Sequence, residues 1–175
     1  MSKFIILSAP SGSGKSTLAE FLIANIPSLS FSISSTTREK RKNESDGINY
    51  YFISQDEFKM NIKKQNFIEW QEVYKNDFKG TLKKEISRLV EEKKNIVFDV
   101  DVVGGLNLKK YFGKNSISVF IDVPSILDLE KRLIDRGTDS IEKINERLKK
   151  AKNEISQKDN FRSEEHTSEL QSPCN

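Results

Sequence analysis

Residues 3 to 18 read KFIILSAPSGSGKSTL, an apolar run followed at once by a glycine- and serine-rich turn that ends in Lys-Ser-Thr. Few sequence features restrict a fold more tightly. The run KFIILS has the length and continuity of a parallel strand buried on both faces. Glycines at 12 and 14 free the backbone to turn its N–H groups inward. Lys15 can reach a terminal phosphate, and Ser16 or Thr17 opens a helix whose positive end faces the anion. The pattern is G-x-x-x-x-G-K-[ST] with one departure, because Ala9 takes the first glycine position, where alanine is tolerated if φ is negative. Ser11, Gly12, Ser13, Gly14, Lys15, Ser16 and Thr17 are thus candidates for a phosphate cradle. Leu18, Phe21, Leu22 and Ile26 recur at helical spacing, which predicts that this side of the helix packs.

A phosphate turn leaves many chemistries open, and composition narrows them modestly. The chain has 175 residues, enough for one domain with its own core and short for two. No apolar run approaches the roughly 18 residues needed to cross a bilayer, and no targeting segment is readable at the start. A soluble, cytoplasmic protein is the expectation. A single cysteine, Cys174, excludes an internal disulfide, and a single histidine, His166, leaves no cluster for zinc or iron–sulfur ligation. The net charge of +3 hints at an anionic ligand but is too mild to suggest a nucleic-acid stripe.

Further along, a short alternating strand leads into hydroxyls and the basic run Arg38, Lys40, Arg41, Lys42, then a turn at Asp46-Gly47. Helix and strand patterns follow, and IVFDVDV reads as another buried strand with carboxylates at its end. SISVFIDVP reads as a buried strand closed by proline, and SILDLEKRLIDRG as a helix stopped by Gly137. In DSIEKINERLKKAKNEIS, Ile141, Ile144, Leu148, Ala151 and Ile155 form a narrow apolar stripe on a charged helix.

Taken in order, SAPSGSGKST, SSTTREKR, GINYYFIS, DEF, FIEW, GT, DVD and RLIDRGTDSIEKINERL resemble the guanylate kinases, which phosphorylate GMP (and dGMP) with ATP. The resemblance runs from about Lys3 to Phe161. It implies an α/β fold: a three-layer P-loop kinase core with a mostly parallel sheet, a GMP-binding α+β insertion and a helical lid. Residues 1–33 and 95–123 would form the core, 34–94 the GMP-binding region, 124–152 the lid, and 153–161 the return to the core.

The resemblance also implies roles. Arg38, Arg41 and Tyr50 hold the GMP phosphate, for which guanidinium forks are well shaped. Glu69 and Asp101 accept from the guanine N1–H and 2-amino group, with Ser34 and Thr81 as hydroxyl partners. Arg132, Arg136 and Arg147 match lid arginines that reach the transferring phosphate, alongside Lys15. Mg2+ is expected with ATP, held by Ser16 and by Asp99, although Asp99 and Asp101 lie on one side of an alternating strand and can exchange assignments. One departure precedes Thr81. The family has two aromatics before the glycine, whereas this chain has Phe78 and Lys79, and neither is assigned to the site.

Because a nucleoside monophosphate already carries roughly 1.5 to 2 negative charges near neutral pH, its phosphate needs no general base. Positioning and cations suffice. ATP and GMP are the expected partners, with no nucleic acid or membrane, and the oligomeric state is not legible. Two other readings stay open: a non-catalytic guanylate-kinase-like binding module, and a P-loop kinase for another small substrate. Residues 162–172, RSEEHTSELQS, match one reading frame of a common sequencing adapter. The expectation is a gene broken near Phe161, with 162–175 non-native and His166 and Cys174 outside the site.

Overall fold

The computed structural model describes residues 2–137 and 139–161. Its central sheet is fully parallel. The apolar run at the start is β1 (Phe4–Ser8), which leads through the glycine turn into α1 (Lys15–Asn25) and then to β2 (Leu29–Phe31). After an excursion through β3 (Ser35–Thr36), β4 (Tyr51–Phe52), α2 (Gln55–Lys63), β5 (Phe67–Tyr74), β6 (Asp77–Leu82) and α3 (Lys83–Glu91), the chain returns as β7 (Asn95–Val100). It continues as α4 (Val102–Phe112), β8 (Ser116–Phe120), α5 (Ile126–Asp135) and α6 (Ile141–Ile155). Strand order in the central sheet is β2-β7-β1-β8, so β1 is interior and its carboxyl end, where the glycine turn begins, faces a crevice.

Alternation sorts the two faces of this sheet. Leu7 and Val97 pack with Ala19 and Leu29 on the α1 side, while Ile6, Ile96 and Phe98 pack with Ile86, Leu89 and Leu108 of α3 and α4 on the other. Those are the three layers the sequence predicts. The packing face of α1 is a correction. Phe21 is 63% exposed, and Leu18 and Ile26 are exposed too, whereas Ala19 is buried against Leu7 and Val97 with Leu22 and Ile23 beside it.

The excursion builds a second sheet in the order β4-β3-β6-β5. Its own small core stacks Phe58 on Phe67 and closes with Leu82. In register, Glu69 faces Thr81 and Gln71 faces Lys79 across the β5–β6 pair, so period-two alternation sends these four side chains to one face. Serines cap three helices: Ser54, Ser125 and Ser140 accept from backbone N–H groups of the first turn of α2, α5 and α6. The helices α5 and α6 share an apolar seam of Leu129, Leu133, Ile144 and Ala151, with Leu148 and Ile155 at its margin. Ile141, the first residue of the expected stripe, is exposed. Beyond α6 a short turn, Lys158–Phe161, drops the Phe161 ring into the core beside Phe120, and Ser118 Oγ donates to its carbonyl at 2.9 Å. The stretch 162–175, with His166 and Cys174, lies outside the described residues.

Candidate active site

A cavity of about 400 Å³ opens between the two sheets. Of the site residues expected from sequence, all but Thr81 line it, and Thr81 lies just behind, fully buried.

At the floor, Gly12 and Gly14 both take positive φ, 94° and 95°, a conformation that costs L-residues strain, and the Ser13 N–H between them donates to the Pro10 carbonyl at 3.2 Å. Gly12 is also a point of close approach, because an added Cβ would come within 3.1 Å of Leu133 on α5. No side chain caps α1 and its first turn holds no acidic residue, so its positive end is open to an anion. Ser13 Oγ is buried in the loop without a hydrogen-bond partner, as expected of a group that awaits a ligand oxygen.

Lys15 and Ser16 converge on the end of β7. Lys15 Nζ lies 2.7 Å from Asp99 Oδ1, and Ser16 Oγ donates to Asp99 Oδ2 at 2.5 Å. Burial acts to raise the Asp99 carboxyl, but the Lys15 ammonium and the Ser16 hydroxyl outweigh it and hold the group below the usual carboxylate range. Burial likewise works against the charged Lys15, and Asp99 overcomes it, leaving the amine above its ordinary value. The other carboxylate, Asp101, has different partners. It caps α4, accepting from Gly104 N at 3.0 Å, and accepts from Lys150 Nζ of α6 at 3.0 Å. A Mg2+ ion fits the Ser16–Asp99 pair, two hard oxygen donors side by side. Among the described residues no group of three acidic, histidine or cysteine side chains could hold a metal unaided, so the remaining ligands would be phosphate and water.

One wall belongs to the second sheet and the basic loop before β4. Arg38 makes a two-pronged contact with Glu44, Nη1 to Oε2 at 2.7 Å and Nη2 to Oε1 at 2.5 Å. Arg41 N donates to the same carboxylate at 2.9 Å, with its guanidinium 3.7 Å away. Burial tends to raise Glu44, yet Arg38 and Arg41 bring it down to about 2. Next to them, Tyr50 Oη accepts from Lys79 Nζ at 3.2 Å, and the Arg38 guanidinium lies 5.0 Å from the phenol ring centre. Deeper in, Thr81 Oγ1 donates to Glu69 Oε1 at 2.7 Å. Glu69 is pushed up to about 7, chiefly by burial. Gly104 makes room here, since an added Cβ would stand 3.0 Å from Glu69 Oε2 and 3.3 Å from Asp101 Oδ1. Ser34 is buried at the edge of the same pocket.

The opposite wall is α5 and α6. Arg132 Nη1 donates to the Ser13 carbonyl at 3.2 Å. Arg147 donates to Ser11 Oγ at 2.6 Å and to Asp139 Oδ1 at 3.2 Å, and Arg136 also lines the cavity.

Asp77, Lys150 and Glu154 line this cleft without having been assigned from sequence, Glu44 braces it from behind Arg38 and Arg41, and Lys79, left out of the site at the departure before Thr81, lines it too. Glu44 follows Arg41 by three residues, and Lys150 follows Arg147 by three on the same helical face. Lys79 precedes Thr81 by two and so shares its face of β6. Phe78, one residue out of phase, packs with Phe58 and Trp70 instead.

A parallel sheet with this glycine loop at its carboxyl edge, two arginine-bearing helices over the loop and a basic wall opposite define a P-loop kinase. The family model described as guanylate kinase matches residues 1–169. The guanylate kinase of Bacteroides fragilis is 51% identical over 154 residues, 88% of this chain and 76% of that protein. That of Porphyromonas gingivalis is 49% identical over 156 residues, covering 89% and 83%. The crystal structure of guanylate kinase from Anaplasma phagocytophilum superposes with a TM-score of 0.70 at 28% identity, covering 91% of this chain and 73% of that one. The chain belongs to the guanylate kinase family.

Proposed function

We propose that this chain transfers the γ-phosphoryl group of ATP to the phosphate of GMP, giving ADP and GDP. The observation that carries the reading is a single cleft joining a phosphate loop to a pocket of buried carboxylates and a hydroxyl, with arginines on both walls. In the reaction an oxygen of the GMP phosphate forms a bond to the γ-phosphorus. The bond from that phosphorus to the β–γ bridging oxygen breaks, and its electron pair leaves with ADP. No proton transfer is needed from the nucleophile, so the protein's work is to align two polyanions and offset their charge.

In this reading the loop of Ser11 to Thr17 receives the ATP phosphates on its backbone N–H groups, with Lys15 following the charge toward the β–γ bridge. Arg132, Arg136 and Arg147 reach the transferring group from α5 and α6, and their closure excludes water that would otherwise take the phosphoryl. Ser16 and Asp99 would hold Mg2+, which when bound supplies positive charge against the ATP phosphates. Arg38, Arg41 and Tyr50 take the acceptor phosphate. Glu69 and Asp101, with Ser34 and Thr81, read guanine: adenine has no N1–H and no 2-amino group, and would leave buried acceptors unmatched. The division follows, with residues 1–33 and 95–123 as core, 34–94 for GMP, 124–152 as lid and 153–161 returning to the core. Among the described residues no helix is long and apolar enough to cross a membrane, and the reading assigns the reaction to the cytoplasm.

An ADP-release assay with GMP, AMP, CMP and UMP tests this. GMP should be turned over far faster than the others, and a preference for AMP would sink the guanine assignment. Lys15→Ala should cut turnover by about a hundredfold or more, as for removal of a donor aimed at developing charge, while most GMP binding survives.

A further inference from the structure

The acceptor wall is short of positive charge unless one more residue is counted. Arg38 and Arg41 share the carboxylate of Glu44, and Asp77 lines the same cavity and acts on Arg38, so carboxylates offset both guanidinium charges on this wall. A nucleoside monophosphate brings roughly 1.5 to 2 negative charges. Lys79 is the amine placed to supply the difference. Of the three lysines lining the cavity, Lys15 is paired with Asp99 and Lys150 with Asp101, whereas Lys79 makes no ion pair among the described residues. Its one hydrogen bond there is to the Tyr50 phenol, and its Nζ stands 4.7 Å from the centre of that ring. An ammonium has three donors, which leaves two to aim elsewhere. The Lys79 charge acts to lower both Glu69 and Asp99, as it would from a position between the base pocket and the phosphate loop.

Resting on the GMP reading, we propose that Lys79 is a third cationic ligand of the acceptor phosphate, acting with Arg38, Arg41 and the Tyr50 hydroxyl. The ammonium donates to Tyr50 Oη and to a phosphate oxygen together. Tyr50, with its lone pair so engaged, is free to turn its own proton to the phosphate. The chain thereby uses a charge where its resemblance to the family leads one to expect an aromatic ring.

The test compares ligands that differ only in the phosphate. Equilibrium binding of GMP and of guanosine is measured for the unaltered chain and for Lys79→Ala, Lys79→Gln and Lys79→Arg, with KM and kcat for each. Loss of a hydrogen bond to a charged group predicts GMP binding weaker by about ten- to hundredfold in the Ala and Gln variants. KM for GMP should rise in step, with guanosine binding and KM for ATP unchanged and the Arg variant restored to within a few-fold. The proposal is overturned if GMP and guanosine weaken equally, which marks a structural role, or if neither changes. Should the unaltered chain phosphorylate no GMP, the functional reading fails by itself, and the GMP-to-guanosine difference still decides the place of Lys79.

Discussion

Glu69 shows how much a single side chain depends on its surroundings. Burial pushes it up to about 7 from 4.5, so near neutral pH it is poised between a donor and the acceptor that guanine requires. Guanosine affinity should therefore rise between about pH 6 and 8 as the carboxyl ionises, and guanosine avoids the titration of the GMP phosphate itself. Glu69→Gln should flatten that profile and weaken guanosine by roughly 1–3 kcal/mol, as read by titration calorimetry. The stability effect has the opposite sign. A folded value above the unfolded one means that the stabilising contribution is complete below about 4.5 and is lost as pH rises through about 7. Glu154, pushed to about 7 first by burial, adds to the same decline. Glu69 could be named from the sequence only through the motif FIEW, because alternation permits either face. Thr81 was named in the same way through GT, but that it faces Glu69 follows from strand register, which no short stretch encodes.

At the scale of elements, the strand, turn and helix at the start of the chain were legible because the glycines and Lys-Ser-Thr dictate local geometry. The rotation of α1 was not. Its apolar residues suggest a face through Leu18, Phe21 and Ile26, but the loop anchors the first turn and thereby fixes which side meets β1. That side holds Ala19, whose small volume allows close contact with Leu7 and Val97. Phe21→Ser should change stability by less than about 0.5 kcal/mol. Ala19→Leu should cost about 1–3 kcal/mol by overpacking, and urea unfolding separates the two. The α5–α6 pair was legible from its stripe and its arginines, yet the atoms they meet, the Ser13 carbonyl and Ser11 Oγ, belong to a loop more than a hundred residues earlier. Arg147→Ala should lower kcat by about 10³ or more with the GMP dissociation constant unchanged, a split that steady-state kinetics and equilibrium binding report.

Across the whole molecule, three segments distant in sequence meet at Asp101. It caps α4 in the core, accepts from Lys150 of α6, and shares with Glu69 of the second sheet the space left by Gly104. The core is locked at another point by Phe161, which is 2% exposed. Phe161→Ala should cost about 3–5 kcal/mol, seen as a lower denaturation midpoint with an unchanged slope. The sequence by itself determined the phosphate loop, the layered α/β class and the guanylate kinase family, because ordered local motifs carry each of these. Tertiary structure alone decided that Asp99 joins Lys15 and Ser16 while Asp101 joins Lys150, that Glu44 ties two arginines together, and that Lys79 reaches Tyr50. The physical reason is that charge pairing acts through space at about 3 Å, and only strand register and helix packing determine which charges come that close.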